Sequence, residues 1–261
     1  MTLLTFAISR WEKYNFLLAE LIKRDFKKKY KRTILGILWS LLHPLLSLLV
    51  MTIIFVHFFA NRTQNFTIYI FAGQLVFGFF SESTNGSMSS LMGNSGLITA
   101  IKVPKYLFLF SKNASSVIEF FITLLAFFVF VAMASIPFSL NFFMLLYPII
   151  TLMVFNIGVG LILSAFYVFF KDTQYLYSVF TRMVMFLSAI FYPIDTFPQR
   201  IQQLFFLNPV FVHIQYFRLV VLNGTTPSIN LHLILGLYAL TALAIGSYIY
   251  KRYNYKFVYY M

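Results

Sequence analysis

The sequence predicts an all-α membrane protein: six transmembrane helices, an N-terminal amphipathic interface helix, and short re-entrant helices on the outer face before the last span. Three observations predict it. Of 261 residues, 60% are hydrophobic and only 10% charged, where a soluble domain carries roughly a quarter charged residues. The uncharged runs are too long for a soluble core: residues 33–61 contain no Lys, Arg, Asp or Glu, and residues 113–170 contain only Glu119. About 20 mostly apolar residues suffice to cross a bilayer. The positive charge is also clustered, with nine of the 20 Lys and Arg placed before Thr33.

Residues 9–32 form the first expected element. Trp11, Phe16, Leu17, Leu21 and Ile22 recur near helical spacing, with Lys13, Tyr14, Glu20, Lys23 and Arg24 between them, which is an amphipathic basic helix. Its end becomes strongly cationic at Lys27, Lys28, Lys29, Lys31 and Arg32. Such a helix lies at the headgroup level with its cationic side chains in the polar layer, and Trp11, Tyr14 and Tyr30 suit that boundary. Residues 1–8 are apolar but follow no basic segment, so insertion is expected through internal spans rather than a signal peptide.

Six spans follow, at about residues 34–59, 66–92, 114–136, 142–170, 175–193 and 229–250. Pro44 lies inside the first and is expected to kink it. The second ends in Ser81, Glu82, Ser83, Thr84, Asn85, Gly86 and Ser87, too polar to face lipid, so this half must face protein or a watery path. Residues 93–113, with Lys102, Pro104, Lys105 and Lys112, form an inside connection. Residues 195–228 carry Pro198, Pro209 and Pro227 among apolar blocks, which fits short re-entrant helices. The chain thus divides into an interface helix and basic segment (1–32), spans one to five (33–194), an outer re-entrant segment (195–228), and a sixth span with its tail (229–261), all one transmembrane domain.

The positive-inside bias sets the orientation. The nine N-terminal cations, then Lys102, Lys105, Lys112, Lys171, Lys251, Arg252 and Lys256, fall inside. Only Arg62, Arg200 and Arg218 fall outside. Both termini are expected in the cytoplasm. The net charge of +13 therefore reads as an attraction to anionic lipid rather than to nucleic acid.

Catalytic constellations are missing from the sequence. Seven carboxylates and four histidines are scattered, with no paired-histidine metal spacing, no nucleophile elbow and no phosphate-binding glycine loop. The absence of cysteine excludes disulfides and thiolate metal sites. The chain is expected to be no enzyme and to hold no cofactor of its own.

Five ordered segments remain: Arg24-Asp25-Phe26-Lys27 with Leu35-Gly36-Ile37-Leu38-Trp39; Ile101-Lys102-Val103-Pro104; Phe169-Phe170-Lys171-Asp172-Thr173; Ser188-Ala189-Ile190-Phe191-Tyr192-Pro193; and Leu207-Asn208-Pro209 before Phe217-Arg218. In order and spacing these resemble the ABC-2 type permeases that export polysaccharides, O-antigen, capsule and teichoic acids. The chain departs where Val103 precedes Pro104 in place of an aromatic residue, and where Lys171 replaces an arginine. The resemblance implies a bacterial cytoplasmic-membrane protein that pairs with a second copy of itself. It implies two separate ATP-binding-cassette subunits that carry ATP and magnesium, and a polymer linked to undecaprenyl diphosphate as cargo.

The resemblance also distributes roles. Lys27, Lys28, Lys29, Lys31 and Arg32 would border the entry and attract a diphosphate head group, against the plainer reading of a lipid anchor. Lys102, Pro104, Lys105, Lys171 and Asp172 would meet the ATPase, rather than form a solvated loop. Apart from the resemblance, Glu82, a carboxylate amid serines and an asparagine within a span, is expected to line a translocation path or a subunit contact, and the aromatics Tyr69, Phe77 and Tyr192 are candidates to line that path. Glu119 is expected to sit near a helix end, paired or solvated near Lys112. Asn208, Pro209 and Arg218 would form an outer gate, or else a helix cap and a snorkelling arginine. Competing readings are an ABC-2 exporter of a drug, peptide or lipid, a stand-alone secondary carrier, and a membrane enzyme. Sparse charge inside the spans and the lack of an inverted repeat argue against a carrier.

Overall fold

The computed structural model describes residues 3–31, 33–59, 65–100 and 103–261. They are helical almost throughout: α1 (Leu3–Tyr30), α2 (Trp39–Phe59), α3 (Phe66–Ser89), α4 (Ser95–Ala100), α5 (Tyr106–Met133), α6 (Leu146–Phe169), α7 (Thr173–Leu187), α8 (Gln199–Phe205), α9 (Pro209–Val221), α10 (Ile229–Tyr253) and α11 (Phe257–Tyr260). Short 3-10 turns lead into α2, α4 and α6. Arg32 and Lys102 lie outside the described residues, as do the side chains of Trp11 and Tyr30.

Helix α3 is the centre of the bundle. Its first half is buried on several sides, with Ile70, Phe71, Ala72 and Val76 fully enclosed. It packs against α2, α5, α6 and α9. Phe71 meets Phe127 and Phe130 of α5 edge to face, each with ring centres 5.4 Å apart, a geometry that aligns the ring's positive edge with its neighbour's negative face. On the far side α6 and α10 form the closest pair. A Cβ placed on Gly158 would collide with the backbone of Ala242, and one on Gly246 with the carbonyl of Gly158. Only glycine lets these two backbones meet, as at small-residue helix crossings in membranes.

Among the described residues four helices are long and apolar enough to cross a membrane: Gly36–Phe58, Tyr106–Met133, Leu140–Phe169 and Ile229–Tyr253. The bent pair Gln199–Phe205 and Pro209–Val221, turned by 104°, makes a fifth if it counts as one span. Two of the six expected spans miss this standard for different reasons. Helix α3 has the length, but its last turns carry the polar run from Ser81 to Ser87. Helix α7 has only 15 residues, about 22 Å at 1.5 Å per residue, short of a hydrocarbon core of about 30 Å.

Two boundaries also differ from expectation. The inside connection expected over 93–113 is mostly helical, and α5 starts eight residues before the expected span, so Lys112 sits within the helix. In α1, Leu21 is buried, and Tyr14 and Leu17 pack beside it against Leu107, Phe108 and Phe257. The face expected to meet lipid is therefore partly covered by protein, while Phe16 stays 73% exposed.

Candidate functional site: a charged groove beside the central helix

Helical periodicity builds a groove between α1, α2, α3, α5 and the end of α7. Along α3, Gln74, Phe77, Gly78, Ser81 and Glu82 fall on one face at three- and four-residue spacing. Ser40, His43, Pro44, Ser47 and Met51 do the same on α2, and Glu119, Phe120 and Thr123 on α5. All line one cavity of about 600 Å³, with Trp39, Lys29, Ile190 and Phe191 completing its wall. Pro44 has no N–H to give the Ser40 carbonyl, so a backbone acceptor is released next to this wall. Gln74 donates to Ser47 at 3.3 Å, while its Oε1 is buried with no partner among the described residues. The cavity is polar where α1 meets it and apolar toward Phe191, the mixture expected of a ligand pocket.

The polar end is held by one lysine and two carboxylates. Lys29 Nζ donates to Glu82 Oε1 and to Glu119 Oε2, both at 2.7 Å. Partial burial alone would lower the Lys29 pKa, but the hydrogen bonds to Glu119 and Glu82 and their negative charges outweigh it and raise the value above the ordinary lysine range. One turn earlier, Asp25 is almost wholly buried between Arg24 at 2.8 Å and Lys112 at 3.2 Å. It also accepts from the Ser111 hydroxyl, and Arg24 reaches on to Asn94. The end of α1 is thus tied to the bundle at two levels, one buried and one open to solvent.

The opposite face of α3 explains its remaining polar residues. Ser83 donates to Asn113 Oδ1 at 2.5 Å, and Asn113 Nδ2 donates to Ser87 Oγ at 2.7 Å. Tyr177 donates to Thr84 at 2.6 Å. These groups are buried and paired, as polar groups without water must be. The run Ser81–Ser87 is therefore split: Ser81 and Glu82 turn to the groove, while Ser83, Thr84 and Ser87 turn to protein.

The structure sorts the expected site residues. Glu82 and Phe77 line the groove. Lys27, Lys28 and Lys31 stay exposed at the end of α1, but Lys29 is engaged by the two acids. Glu119 pairs with Lys29, not with Lys112, because Lys112 is taken by Asp25. Tyr69 and Tyr192 are away from the groove: Tyr69 donates to the Tyr192 carbonyl at 2.9 Å, and Tyr192 to the Phe186 carbonyl at 2.6 Å. Asn208 caps α9 by accepting from Val210 N–H at 3.0 Å, with Pro209 at the first helical position, where its missing donor does no harm. Arg218 does not snorkel; it is buried and donates to the carbonyls of Tyr69, Ala189 and Ile190. Pro104 precedes α5, and Lys105 donates to the Asn254 carbonyl at 2.6 Å, with burial lowering its pKa. Lys171 and Asp172 are exposed in the turn between α6 and α7.

Sequence reasoning missed Trp39, His43 and the anchor at Asp25. The usable signal was that two isolated carboxylates among apolar spans need a cation, and the basic run supplies several. Among the described residues no group of three or more His, Cys, Asp or Glu could hold a metal. What the groove offers is a charged mouth and an apolar interior, which suits binding and passage of an amphipathic molecule.

Comparison with known proteins decides the family, since a model of the ABC-2 type transporter matches residues 17–222. The chain belongs to the ABC-2 type transporter family. The match starts within α1 and ends after α9, so the groove and the Asp25 anchor fall inside it. This ABC-2 protein is similar to the O-antigen export system permease protein RfbA of Klebsiella pneumoniae, with 26% identity over 254 residues, 94% of this chain and 96% of the relative. It is 28% identical to RfbA of Myxococcus xanthus over 70% of each chain. The polysialic acid transport protein KpsM of Escherichia coli is 24% identical over 88% of this chain and 91% of its own. As an ABC-2 protein it is a multi-pass membrane permease, a transport component rather than a catalyst.

Proposed function

We propose that this chain is the permease subunit of an ATP-driven exporter that moves a lipid-linked polysaccharide or teichoic acid-type polymer across the bacterial cytoplasmic membrane. The observation that carries the reading is the groove: a cationic helix end at its mouth, and an apolar interior walled by a weakly buried helix. Clustered ammonium groups at headgroup level attract a diphosphate, and the apolar interior suits the lipid. Lys27, Lys28 and Lys31 are the headgroup contacts, Arg32 extends the set, and Lys29 is held in reserve. The names of the relatives, which concern O-antigen and polysialic acid, support a polysaccharide over a drug or peptide.

In this reading all 261 residues form one transmembrane domain with both termini cytoplasmic. Helices α2, α3, α5, α6, α7 and α10 make six crossings. Helix α3 tolerates its polar turns because protein surrounds it, and α8 with α9 forms an outer re-entrant pair. Two copies assemble with two ATP-binding-cassette subunits, which hold ATP and magnesium. Pro104, Lys105, Lys171 and Asp172, with Lys102, face those subunits. Glu82 and Phe77 border the path. Tyr69, Tyr192, Asn208, Pro209 and Arg218 build the frame of the outer end.

The test is co-purification with an ATP-binding-cassette subunit, followed by ATP turnover in lipid nanodiscs, with and without the double exchange Lys171→Glu/Asp172→Lys. A stable complex whose turnover falls on exchange supports the exporter. A chain that binds no ATPase and transports on an ion gradient makes it a secondary carrier.

A further inference from the structure

We infer that Lys29 is a latch: its ion pairs to Glu82 and Glu119 hold the end of α1 across the mouth of the groove, and their release opens it while Asp25 stays fixed. The inference deepens the exporter reading and rests on it for its purpose, though not for its geometry.

Three features place the latch. First, Lys29 bridges separate elements, reaching Glu82 on α3 and Glu119 on α5 at the same 2.7 Å, and all three residues line the groove. Moving the end of α1 must break both bonds. Second, the two ties of α1 differ in strength. The Asp25 side chain is 3% exposed, whereas Lys29 and Glu82 are 43% and 51% exposed. A buried carboxylate with three partners is expensive to undo, while the Lys29–Glu82 pair is exposed and exchanges with water, and the Lys29–Glu119 pair, with Glu119 16% exposed, lies between the two. Motion therefore starts at Lys29 and pivots at Asp25. Third, exposed Lys27, Lys28 and Lys31 flank Lys29 at the end of α1. An anionic group gathered by those lysines competes with the carboxylates for Lys29, so the ligand that the mouth attracts is also the one that loosens it. Hydrogen bonds to the two acids keep Lys29 charged at working pH.

The reporter is Ser81→Cys, the sole thiol in an otherwise cysteine-free chain and a residue of the groove wall. Its modification by an uncharged water-soluble maleimide is timed in the full chain in nanodiscs. The reporter is combined with Lys29→Gln, with Lys29→Glu, and with the exchange Lys29→Glu/Glu119→Lys, which restores one cation between two acids. Lys29→Gln should raise the rate about fivefold and Lys29→Glu more, with the exchange returning it to within about twofold of the reporter alone. A rate unchanged in Lys29→Gln and Lys29→Glu overturns the latch. So does an exchange that stays fast in protein with the reporter's thermal midpoint. The measurement needs neither ATPase nor cargo. Failure of co-purification would remove the exporter and leave the latch; a flat modification rate in a complex that hydrolyses ATP would remove the latch alone.

Discussion

Replacing Arg218 separates a structural role from a gating one. The residue is 3% exposed, and its guanidinium makes four hydrogen bonds of 3.0–3.3 Å to three backbone carbonyls, those of Tyr69, Ala189 and Ile190. Its central carbon stands 3.4 Å from the centre of the Tyr69 ring. It therefore joins α3 and α9 to the turn after α7, where Ala189 has a positive φ of 49°, a conformation that needs support from its surroundings. Arg218→Gln keeps one or two of these bonds at most. Each buried acceptor left unpaired costs about 1–3 kcal/mol, and the lost cation–π contact about 2 kcal/mol. Relief from burying a charge returns part of this. The net loss is about 4 kcal/mol, which lowers the melting temperature by about 10 °C for a chain of this size. The assay is thermal unfolding in detergent, read alongside surface polymer normalised to folded protein. A melting point within about 2 °C of the parent with export abolished would refute the structural assignment and make Arg218 a gate.

Other contacts give independent checks. Gly158→Ala or Gly246→Ala forces the α6 and α10 backbones apart, so either should lose about 3 kcal/mol or fail to accumulate. Gly93→Ala, with nothing within 4 Å of its added carbon, should be neutral in the same yield and melting measurement. Asp25→Asn leaves Arg24 and Lys112 beside a neutral group; a loss of about 3 kcal/mol and faster proteolysis of α1 are expected. Lys105 supplies a pH test. Burial lowers its folded pKa, so between that value and the ordinary 10.5 the unfolded chain binds more protons and stability rises with pH. Lys105→Met should flatten that rise in melting temperature, and an unaltered slope would count against the burial.

Much of the bundle was legible because hydropathy and charge are both one-dimensional signals. The long uncharged runs located α2, α5, α6 and α10, and the prolines at 198 and 209 marked the broken pair that the structure bends by 104°. The start of α5 was not legible: Lys105 and Lys112 resemble a solvated loop until Asp25, 87 residues before Lys112 in the sequence, is seen to neutralise one of them. Glu82 was readable as a groove residue because a carboxylate among serines has no place in lipid. Glu119 was not, since the nearest cation in sequence is not the nearest in space. Tyr69 and Tyr192 show the limit for aromatics, as nothing in composition separates a ring that frames Arg218 from one that lines a path.

Helix α2 is an outlier in how little of its apolar surface the rest of the chain covers. Only 6% of its apolar window is buried, against 50% for Leu140–Phe169. On the outer side Leu49 and Ile53 are 54% and 61% exposed, so substitutions there cost the folded chain little and its stability leaves that side weakly constrained. The opposite edge, with Trp39, His43 and Ser47, borders the groove. Sequence drift on one side of α2 could therefore refit the surface offered to surroundings while the groove edge stays as it is, and a screen that selects only for folded protein would pass such changes unnoticed.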